Sequence, residues 1–305
     1  MATVKYPIWL SVCYSMGPVL LPVYRTWRRI RGRKAGQEFR VLLFHDIPEY
    51  RMGRFARLVR YLNSHDSLID PQTVEDLLAG RSALDENAGV QYLLTFDDGF
   101  ESQARAAREI LDPLGIKALF FVCPELMNVP RDSQRQEIAA QMFEGSLRSE
   151  HLPEDLFLMS WDGLNELAAS GHTIGSHTGT HRRLSTLPAS AAAPEIVNSA
   201  DLIEAHTDKP VQWFAYPFGD IDSIDASSLA SISQRYTYCC TGVAGPNGAQ
   251  TEPLAILREN IDLDLSFAYQ LFVLEGGMDF LYRRSADKYR SMISSIPQAQ
   301  PARIS

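Results

Sequence analysis

The sequence predicts an α/β fold in which parallel strands alternate with helices. Two short apolar runs, RVLLFH at 40–45 and QYLLT at 91–95, have the length and composition of buried strands. Between them, Phe55, Leu58 and Leu62 recur at the spacing of one helix face, as expected for a helix that covers a sheet. The same alternation continues along the chain, and about seven strands can be counted in it.

Apolar runs and helical spacing also predict the strands and helices in the rest of the chain. Apolar runs predict further strands at 117–122, 172–175, 213–216, 238–241 and just before Arg258. Helical spacing predicts helices at 102–111, 194–205, 229–234, 267–274 and 279–293. A long polar insertion at 124–160, with one helix around 136–143, is expected to lie on the surface. We therefore expect one main domain over 37–296, followed by a flexible tail at 297–305.

Composition and charge narrow the class of protein. At 305 residues, with 45% hydrophobic and 22% charged residues, the chain suits a globular protein with one large α/β domain. The net charge is −8, but the first 34 residues carry seven basic residues and no acid, so the remainder carries −15. An acidic body argues against nucleic acid as a partner, because phosphates require a basic surface. The four cysteines have no spacing typical of a disulfide framework.

The N-terminal segment, residues 1–36, combines an uncharged stretch with a basic flank. Tyr6 to Tyr24 contains no charged residue, and a dense basic run from Arg25 to Lys34 follows it. Roughly 20 apolar residues can span a bilayer as a helix, although prolines in this stretch make a shallow insertion as plausible. We expect contact with a membrane surface through 6–34, with the main domain on the cytoplasmic side. The alternative is a surface helix packed on the body.

A pair of adjacent carboxylates is the strongest local signal for chemistry. Asp97 and Asp98 follow a buried strand and precede a turn glycine. Because side chains alternate along an extended strand, the two acids should diverge from nearly one place, which suits two different roles. His45 ends another strand, and the carboxyl ends of parallel strands are where barrel enzymes gather their catalytic residues. The alternative makes Asp98 a helix N-cap and His45 a structural residue.

Two histidines later in the chain have the spacing of metal ligands. His177 and His181 lie four residues apart, so that a tight turn or helical turn can present both imidazoles to one point. Two histidines and one carboxylate are a common zinc set that leaves a position for water. The alternative is a pair of solvated histidines. Together with the acid pair, however, this spacing predicts a divalent metal site, with zinc the expected metal.

Three motifs give the chain a resemblance to a known family. TFDDG at 95–99 and HTGTH at 177–181 resemble the first two motifs of the polysaccharide deacetylase family, the carbohydrate esterases with a NodB homology domain. WFAYPFG at 213–219 resembles the third motif, and the likeness covers roughly 40–282. The resemblance implies an irregular (β/α)7 barrel. It also implies a metal-dependent hydrolase that removes an N-acetyl group from an amino-sugar glycan or glycolipid.

The resemblance also implies roles for individual residues. Asp97 would be the general base, and Asp98 would bind the metal together with the two histidines, His177 and His181. A backbone N–H near Phe218, within the turn that begins at Tyr216, would stabilise the oxyanion.

Two departures from the family pattern stand out. Many members carry an arginine where this chain has Ala215, and Arg258 is our candidate to orient the catalytic base in its place. Many members also carry a Leu-x-His motif near the C-terminus. Here Leu43 and His45 have that spacing at the first strand, an order that resembles the poly-N-acetylglucosamine deacetylase branch. His45 would then protonate the leaving amine, and Leu43 would line the pocket for the acetyl methyl group.

The expected partners are an N-acetylated glycan or a lipid-linked sugar, a membrane surface and a divalent metal, and not nucleic acid. A second function remains open on these grounds. Because the family arginine is replaced by Ala215, the chain could be a catalytically retired, membrane-bound carbohydrate-binding or polysaccharide-assembly factor.

Overall fold

The computed structural model of the protein describes residues 16–30, 38–84 and 89–296. The predicted flexible tail at 297–305 and parts of the predicted membrane segment, 6–15 and 31–34, lie outside these residues. The described strands are β1 Phe39–Phe44, β2 Gln91–Phe96, β3 Leu119–Val122, β4 Thr173–Ser176, β5 Trp213–Ala215, β6 Tyr238–Cys240 and β7 Arg258–Asn260.

Most helices connect these strands, as the alternating pattern predicts. The described α-helices are α1 Gly17–Ile30, α2 Glu49–Asn63, α3 Pro71–Leu78, α4 Glu101–Ala106, α5 Pro124–Met127, α6 Arg131–Gln141, α7 Trp161–Ala169, α8 Ala189–Thr207, α9 Ala226–Arg235, α10 Phe267–Leu274 and α11 Asp279–Ser294. A π-helical turn, Ala107–Leu111, continues α4. The predicted helix at 267–274 is confirmed at both ends, and α11 extends one residue beyond its predicted end.

The strands form one parallel sheet that nearly closes on itself. Its order is β6-β5-β4-β3-β2-β1-β7, so that the first strand lies between the second and the last. At the open side, Cys240 at the end of β6 forms a parallel bridge with Ile256, two residues before β7. The predicted irregular (β/α)7 barrel is therefore confirmed.

Both faces of the sheet are buried, which explains why the sequence of each strand is mostly an unbroken run of apolar residues. One face carries Val41, Leu93 and Phe121, which belong to the cluster inside the barrel. The opposite face carries Phe96, which stacks on Phe120 with ring centroids 4.6 Å apart beneath the helices. This alternation positions the two sets of side chains, since successive residues of a strand point to opposite faces.

A buried ionic cluster joins the seam between β1 and β7 to α11. Arg40 donates to Glu259 at 2.6 Å and to both carboxylate oxygens of Asp279 at 2.9 and 2.7 Å. Burial raises the pKa of Glu259 to about 7, although the Arg40 guanidinium opposes this change. The cluster holds the start of α11 against the outer face of the first strand.

Helix α1 packs lengthwise on α10. Gly17 approaches the backbone of Tyr269 so closely that a Cβ would lie 2.5 Å from its nitrogen, and Arg25 donates to Glu275 at 2.9 Å. The described end of the predicted membrane segment is thus a helix seated on the body. No helix in the described ranges is both long enough and apolar enough to cross a membrane.

The insertion at 124–160 differs from its prediction in two respects. Its longest helix is α6, which starts and ends earlier than the predicted 136–143. Although the segment is polar overall, its apolar residues are buried against the core: Leu126, Ile138, Leu152, Leu156 and Leu158. Phe100, next to the turn that holds the acid pair, bridges to Leu158. The insertion therefore covers one side of the carboxyl ends of the strands.

Candidate active site

The loops at the carboxyl ends of β2, β4 and β5 hold residues in an uncommon backbone conformation. In the described ranges, seven residues other than glycine have a positive φ. Four of them lie in these loops, namely Asp98, Thr178, His181 and Phe218, with φ of 80°, 66°, 62° and 65°. Positive φ is uncommon outside glycine, and in a β-branched residue such as Thr178 it is an outlier. Such strain persists only where the surrounding structure enforces it, and it clusters at functional sites.

Three side chains from two of these loops meet at one point. The Nε2 atoms of His181 and His177 lie 3.2 and 3.6 Å from Oδ1 of Asp98, and all three residues are buried. The ligand atoms of a tetrahedral zinc, with bonds of about 2.0–2.2 Å, stand about 3.3–3.6 Å apart. The spacing of the group therefore suits a single divalent ion.

The hydrogen bonds around this group also favour a cation. Nδ1 of His177 lies 2.7 Å from the carbonyl oxygen of Ala215, and a carbonyl can only accept, so Nδ1 carries the proton. Burial lowers the pKa of His177 to about 4, so the ring is neutral near pH 7 and Nε2 presents a lone pair. Oδ1 of Asp98 has no hydrogen-bond donor in the described part of the chain. Lone pairs thus converge on a point that a cation would satisfy.

Asp97, the other acid of the pair, has a different environment. Arg258 donates to both of its carboxylate oxygens, at 2.6 and 2.7 Å, and both side chains are buried. Burial alone would raise the pKa of Asp97, but the Arg258 guanidinium outweighs it and lowers that pKa. Oδ2 of Asp97 lies 3.8 Å from Nε2 of His177. An ionised carboxylate is therefore held next to the candidate metal ligands.

His45 and Leu43 lie at the end of β1, beside this acid pair. The His45 side chain is exposed, and it lies close enough to the acid pair to be among the causes that lower the pKa of Asp97 and of Asp98. Leu43 is buried, and its carbonyl accepts from Ile261 just beyond β7. The structure thus brings His45 to the same edge of the barrel as the two acids.

Tyr216 and Phe218 lie in the turn after β5, and their side chains have structural contacts. The Tyr216 hydroxyl lies 2.6 Å from the Thr241 hydroxyl and donates to the Gly219 carbonyl at 3.2 Å, and the whole side chain is buried. Phe218 is half-buried against the ring of His181, at a centroid distance of 4.9 Å. Among the described residues, no carbonyl accepts from the backbone N–H of either residue.

Glu195, on α8, is a residue that sequence reasoning missed. Its carboxylate accepts from the backbone N–H of Thr180 at 2.9 Å and from the Thr180 hydroxyl at 2.5 Å. Its backbone carbonyl accepts from Gly179 at 3.0 Å. Glu195 therefore holds the loop that joins the two histidines. An acid fourteen residues beyond that loop carries no local signal of this contact.

Comparison with known proteins assigns the chain to a family. Residues 86–237, about half of the chain, match the family model described as polysaccharide deacetylase. The chain belongs to the polysaccharide deacetylase family. It is accordingly a hydrolase of carbon–nitrogen amide bonds. A gellan lyase of Bacillus sp is 28% identical over 169 residues, which are 55% of this chain and 5% of the lyase. The chain therefore spans a small part of that relative.

Three solved structures share the fold of this family member. The Streptococcus pyogenes deacetylase PplD, in complex with acetate, is 17% identical, with 78% of this chain and 98% of that chain covered and a TM-score of 0.59. The BpsB deacetylase domain of Bordetella bronchiseptica is 22% identical, with 75% and 98% covered and a TM-score of 0.58. IcaB of Ammonifex degensii is 24% identical, with 79% and 97% covered and a TM-score of 0.57.

The Arg258–Asp97 pair generates a prediction about stability. Because Arg258→Met leaves a buried carboxylate unpaired, we expect the free energy of unfolding to fall by about 3–5 kcal/mol. Chemical denaturation of the chelator-treated protein measures this change. Arg81→Met, which removes an exposed ion pair to Asp76, is the control and should leave the free energy of unfolding close to that of the parent protein. Equal losses in the two variants would contradict the importance of the buried pair.

The Glu195 contacts generate a prediction about metal affinity. Glu195→Ala removes both acceptors of Thr180 and releases the loop between the histidines, so we expect zinc affinity to fall about 10- to 100-fold. Titration against a chromophoric chelator measures the affinity. Glu195→Gln, which can still bond Thr180, should lose much less. Asp201→Ala on the same helix should bind zinc like the parent protein. Unchanged affinity in Glu195→Ala would show that the loop needs no such support.

Proposed function

We propose that the protein is a metal-dependent deacetylase that removes N-acetyl groups from an amino-sugar glycan. The observation that carries this proposal is the convergence of Asp98, His177 and His181 on one point beside a second buried acid, Asp97. A structural ion pair would need one carboxylate and one cation. This site instead has two acids and two imidazoles, and the His177 imidazole is neutral. Such a group fits a centre that binds a metal and moves a proton.

In this proposal Asp98, His177 and His181 hold a zinc ion. A zinc ion held there would supply a Lewis acid for the amide carbonyl and would lower the pKa of water at the site towards about 7 to 9. Asp97 accepts the proton of the attacking water, because its carboxylate is ionised and lies on the side of the His177 nitrogen. Arg258 orients that carboxylate through two hydrogen bonds and so takes the role that the family assigns to an arginine at position 215.

The remaining roles fall to residues at the same edge of the barrel. A backbone N–H in the turn from Tyr216 to Phe218 stabilises the oxyanion, an effect often worth about 3 kcal/mol per donor. His45, which is exposed at the end of β1, delivers a proton to the leaving amine. Leu43 lines the pocket for the acetyl methyl group. The tetrahedral adduct then collapses to acetate and a free amine.

The substrate is an N-acetylated glycan, and a polymer, an oligomer or a lipid-linked sugar would each supply the same acetamide. Acetate bound to the similar deacetylase PplD is the acid product expected of such a reaction. We also propose that the catalytic domain lies on the cytoplasmic side of a membrane, on the basis of the basic flank at 25–34. An amine-release assay on each of these three forms, run with and without chelator, tests the proposal. The form that releases amine only without chelator is the substrate.

A catalytically retired binding or assembly factor is the second candidate function. It rests on Ala215, which replaces the family arginine. Arg258 supplies a guanidinium to Asp97 from β7, so this replacement leaves the acid paired. The hydrolase is therefore the function that the site favours.

The first catalytic prediction separates metal binding from turnover. Asp97→Asn should keep stoichiometric zinc and lose amine release by about 100-fold or more, since the base is gone while the metal ligands remain. His177→Ala should lose both zinc and turnover, because one ligand is missing. Metal analysis and an amine-release assay measure the two effects. Near-parental turnover in Asp97→Asn would show that another group is the base.

The second catalytic prediction concerns the role of His45. An amine leaving group needs a proton, whereas an activated aryl ester does not. His45→Ala should therefore lose about 100-fold or more on an N-acetylated sugar and much less on an aryl acetate, with zinc content unchanged. Asp97→Asn is the comparison, since it should lose activity on both substrates. An equal loss on both substrates in His45→Ala would contradict a role in protonating the leaving group.

A further inference from the structure

Arg183 lies two residues beyond the second histidine, and its side chain joins three segments of the chain beside the candidate site. It donates to both carboxylate oxygens of Glu144, at 2.9 and 3.3 Å, and Glu144 belongs to the insertion at 124–160. It also donates to Asp220 at 3.2 Å and to the Ser223 hydroxyl, both in the loop after β5. Arg183 thus ties the insertion to that loop, although the proposed reaction so far assigns it no part.

The guanidinium of Arg183 also covers the ring of Phe218. Its central carbon lies 4.0 Å from the ring centroid, which is the arrangement of a cation–π contact. The same ring meets the imidazole of His181 edge-to-face, at a centroid distance of 4.9 Å. The Phe218 ring therefore contacts both a cation that is held by hydrogen bonds and a candidate metal ligand.

The imidazole of His181 depends on this packing more than that of His177 does. Nδ1 of His177 donates to the Ala215 carbonyl, and this bond fixes the orientation of its ring. Nδ1 of His181 is buried and has no hydrogen-bond partner among the described residues. A metal-ligating histidine usually takes its orientation from a bond at the nitrogen that faces away from the metal. Since His181 lacks that bond in the described part of the chain, its contact with the Phe218 ring orients the imidazole instead.

The backbone of Phe218 also needs support from its surroundings. Its φ of 65° lies in the left-handed region, which is uncommon for a residue with a Cβ. Such a conformation persists only where neighbouring contacts enforce it. Arg183 holds this turn at two positions, through the Phe218 ring and through the carboxylate of Asp220. Since the proposed oxyanion donor is a backbone N–H of the same turn, its position depends on these contacts.

Further hydrogen bonds hold Arg183 in place, although 23% of its side chain is exposed. The backbone N–H of Ser185 donates to the Ser223 carbonyl at 3.1 Å, and the Ser185 hydroxyl donates to the Asp222 carbonyl at 2.6 Å. The Arg183 guanidinium lowers the pKa of Glu144, so this carboxylate is charged at neutral pH and the ion pair persists. The loop that carries Arg183 is therefore fixed against the loop after β5.

We propose that Arg183 is a positioning residue of the deacetylase. It holds the Phe218 ring against His181, and it thereby sets the orientation of this imidazole and of the turn that carries the oxyanion donor. This inference rests on the proposed function. Glu144 extends the same support to the insertion at 124–160, which thus contributes to the site without supplying a metal ligand. Because Arg183 acts through Phe218, its removal should matter only while the Phe218 ring is present.

A double-mutant cycle on the full chain tests this proposal, with zinc affinity as one readout and the kcat and KM of amine release as the other. Arg183→Met removes the cation and its hydrogen bonds, so we expect zinc affinity and kcat each to fall about tenfold while KM changes little. Phe218→Leu removes the ring and should cause at least the same loss. The double variant should be no worse than Phe218→Leu, because two residues that act through one contact are not additive. Arg183→Lys, which keeps a cation for the ring, should recover most of the loss.

Arg148→Met is the matched control, because Arg148 is an exposed arginine on the insertion and pairs with Glu150 at 3.4 Å. It should match the parent protein in both readouts. Parental zinc affinity and kcat in Arg183→Met would overturn the proposal and leave the proposed function intact. Losses that add in the double variant would also overturn it, since Arg183 would then only stabilise its loop. A parent protein that binds zinc but releases no amine would contradict the proposed function, and the cycle on zinc affinity would still decide the role of Arg183. A parent protein that binds no zinc would contradict both.

Discussion

Asp97 and Asp98 are buried side by side at the end of β2, and an acid pair in the interior of a barrel requires compensating positive charge. Arg258 compensates Asp97 through two short hydrogen bonds. Asp98 instead faces the ring nitrogens of His177 and His181, at a point where a cation would complete the balance. The two acids therefore differ in chemistry because their partners differ. In the proposed function, the same difference in partners gives Asp97 the role of proton acceptor and Asp98 the role of metal ligand.

Closure of the barrel brings these partners together. Since β1 pairs with both β2 and β7, residues from the start and the end of the domain flank the same carboxylate. Arg258 reaches Asp97 from β7, and His45 reaches the same edge from β1. A change in the order of motifs along the chain, or the replacement of an arginine by Ala215, can therefore leave the spatial arrangement intact. Neighbourhood in the barrel, and not position in the sequence, decides which side chains can cooperate.

Contacts from outside the site hold its loops in their unusual conformation. Glu195 binds the loop between the histidines, and Tyr216 with Thr241 holds the turn after β5. Gly219 lies against Gly242 so closely that a Cβ on either would touch the other backbone. Each strained residue costs about 1–3 kcal/mol, and these contacts supply the stabilisation that keeps it in place. The site is thus ordered before any substrate binds.

The sequence by itself determined the order of strands and helices, the paired acids and the paired histidines. These features depend on the period of apolar residues and on spacing within a few positions, which are local properties. Only the tertiary structure decided that Arg258 binds Asp97, that Glu195 supports the histidine loop, and that α1 packs on α10. Each of these contacts joins residues far apart in the chain, where no repeating pattern links them. The packing of the closed barrel, which brings distant strands and helices together, selects the partners.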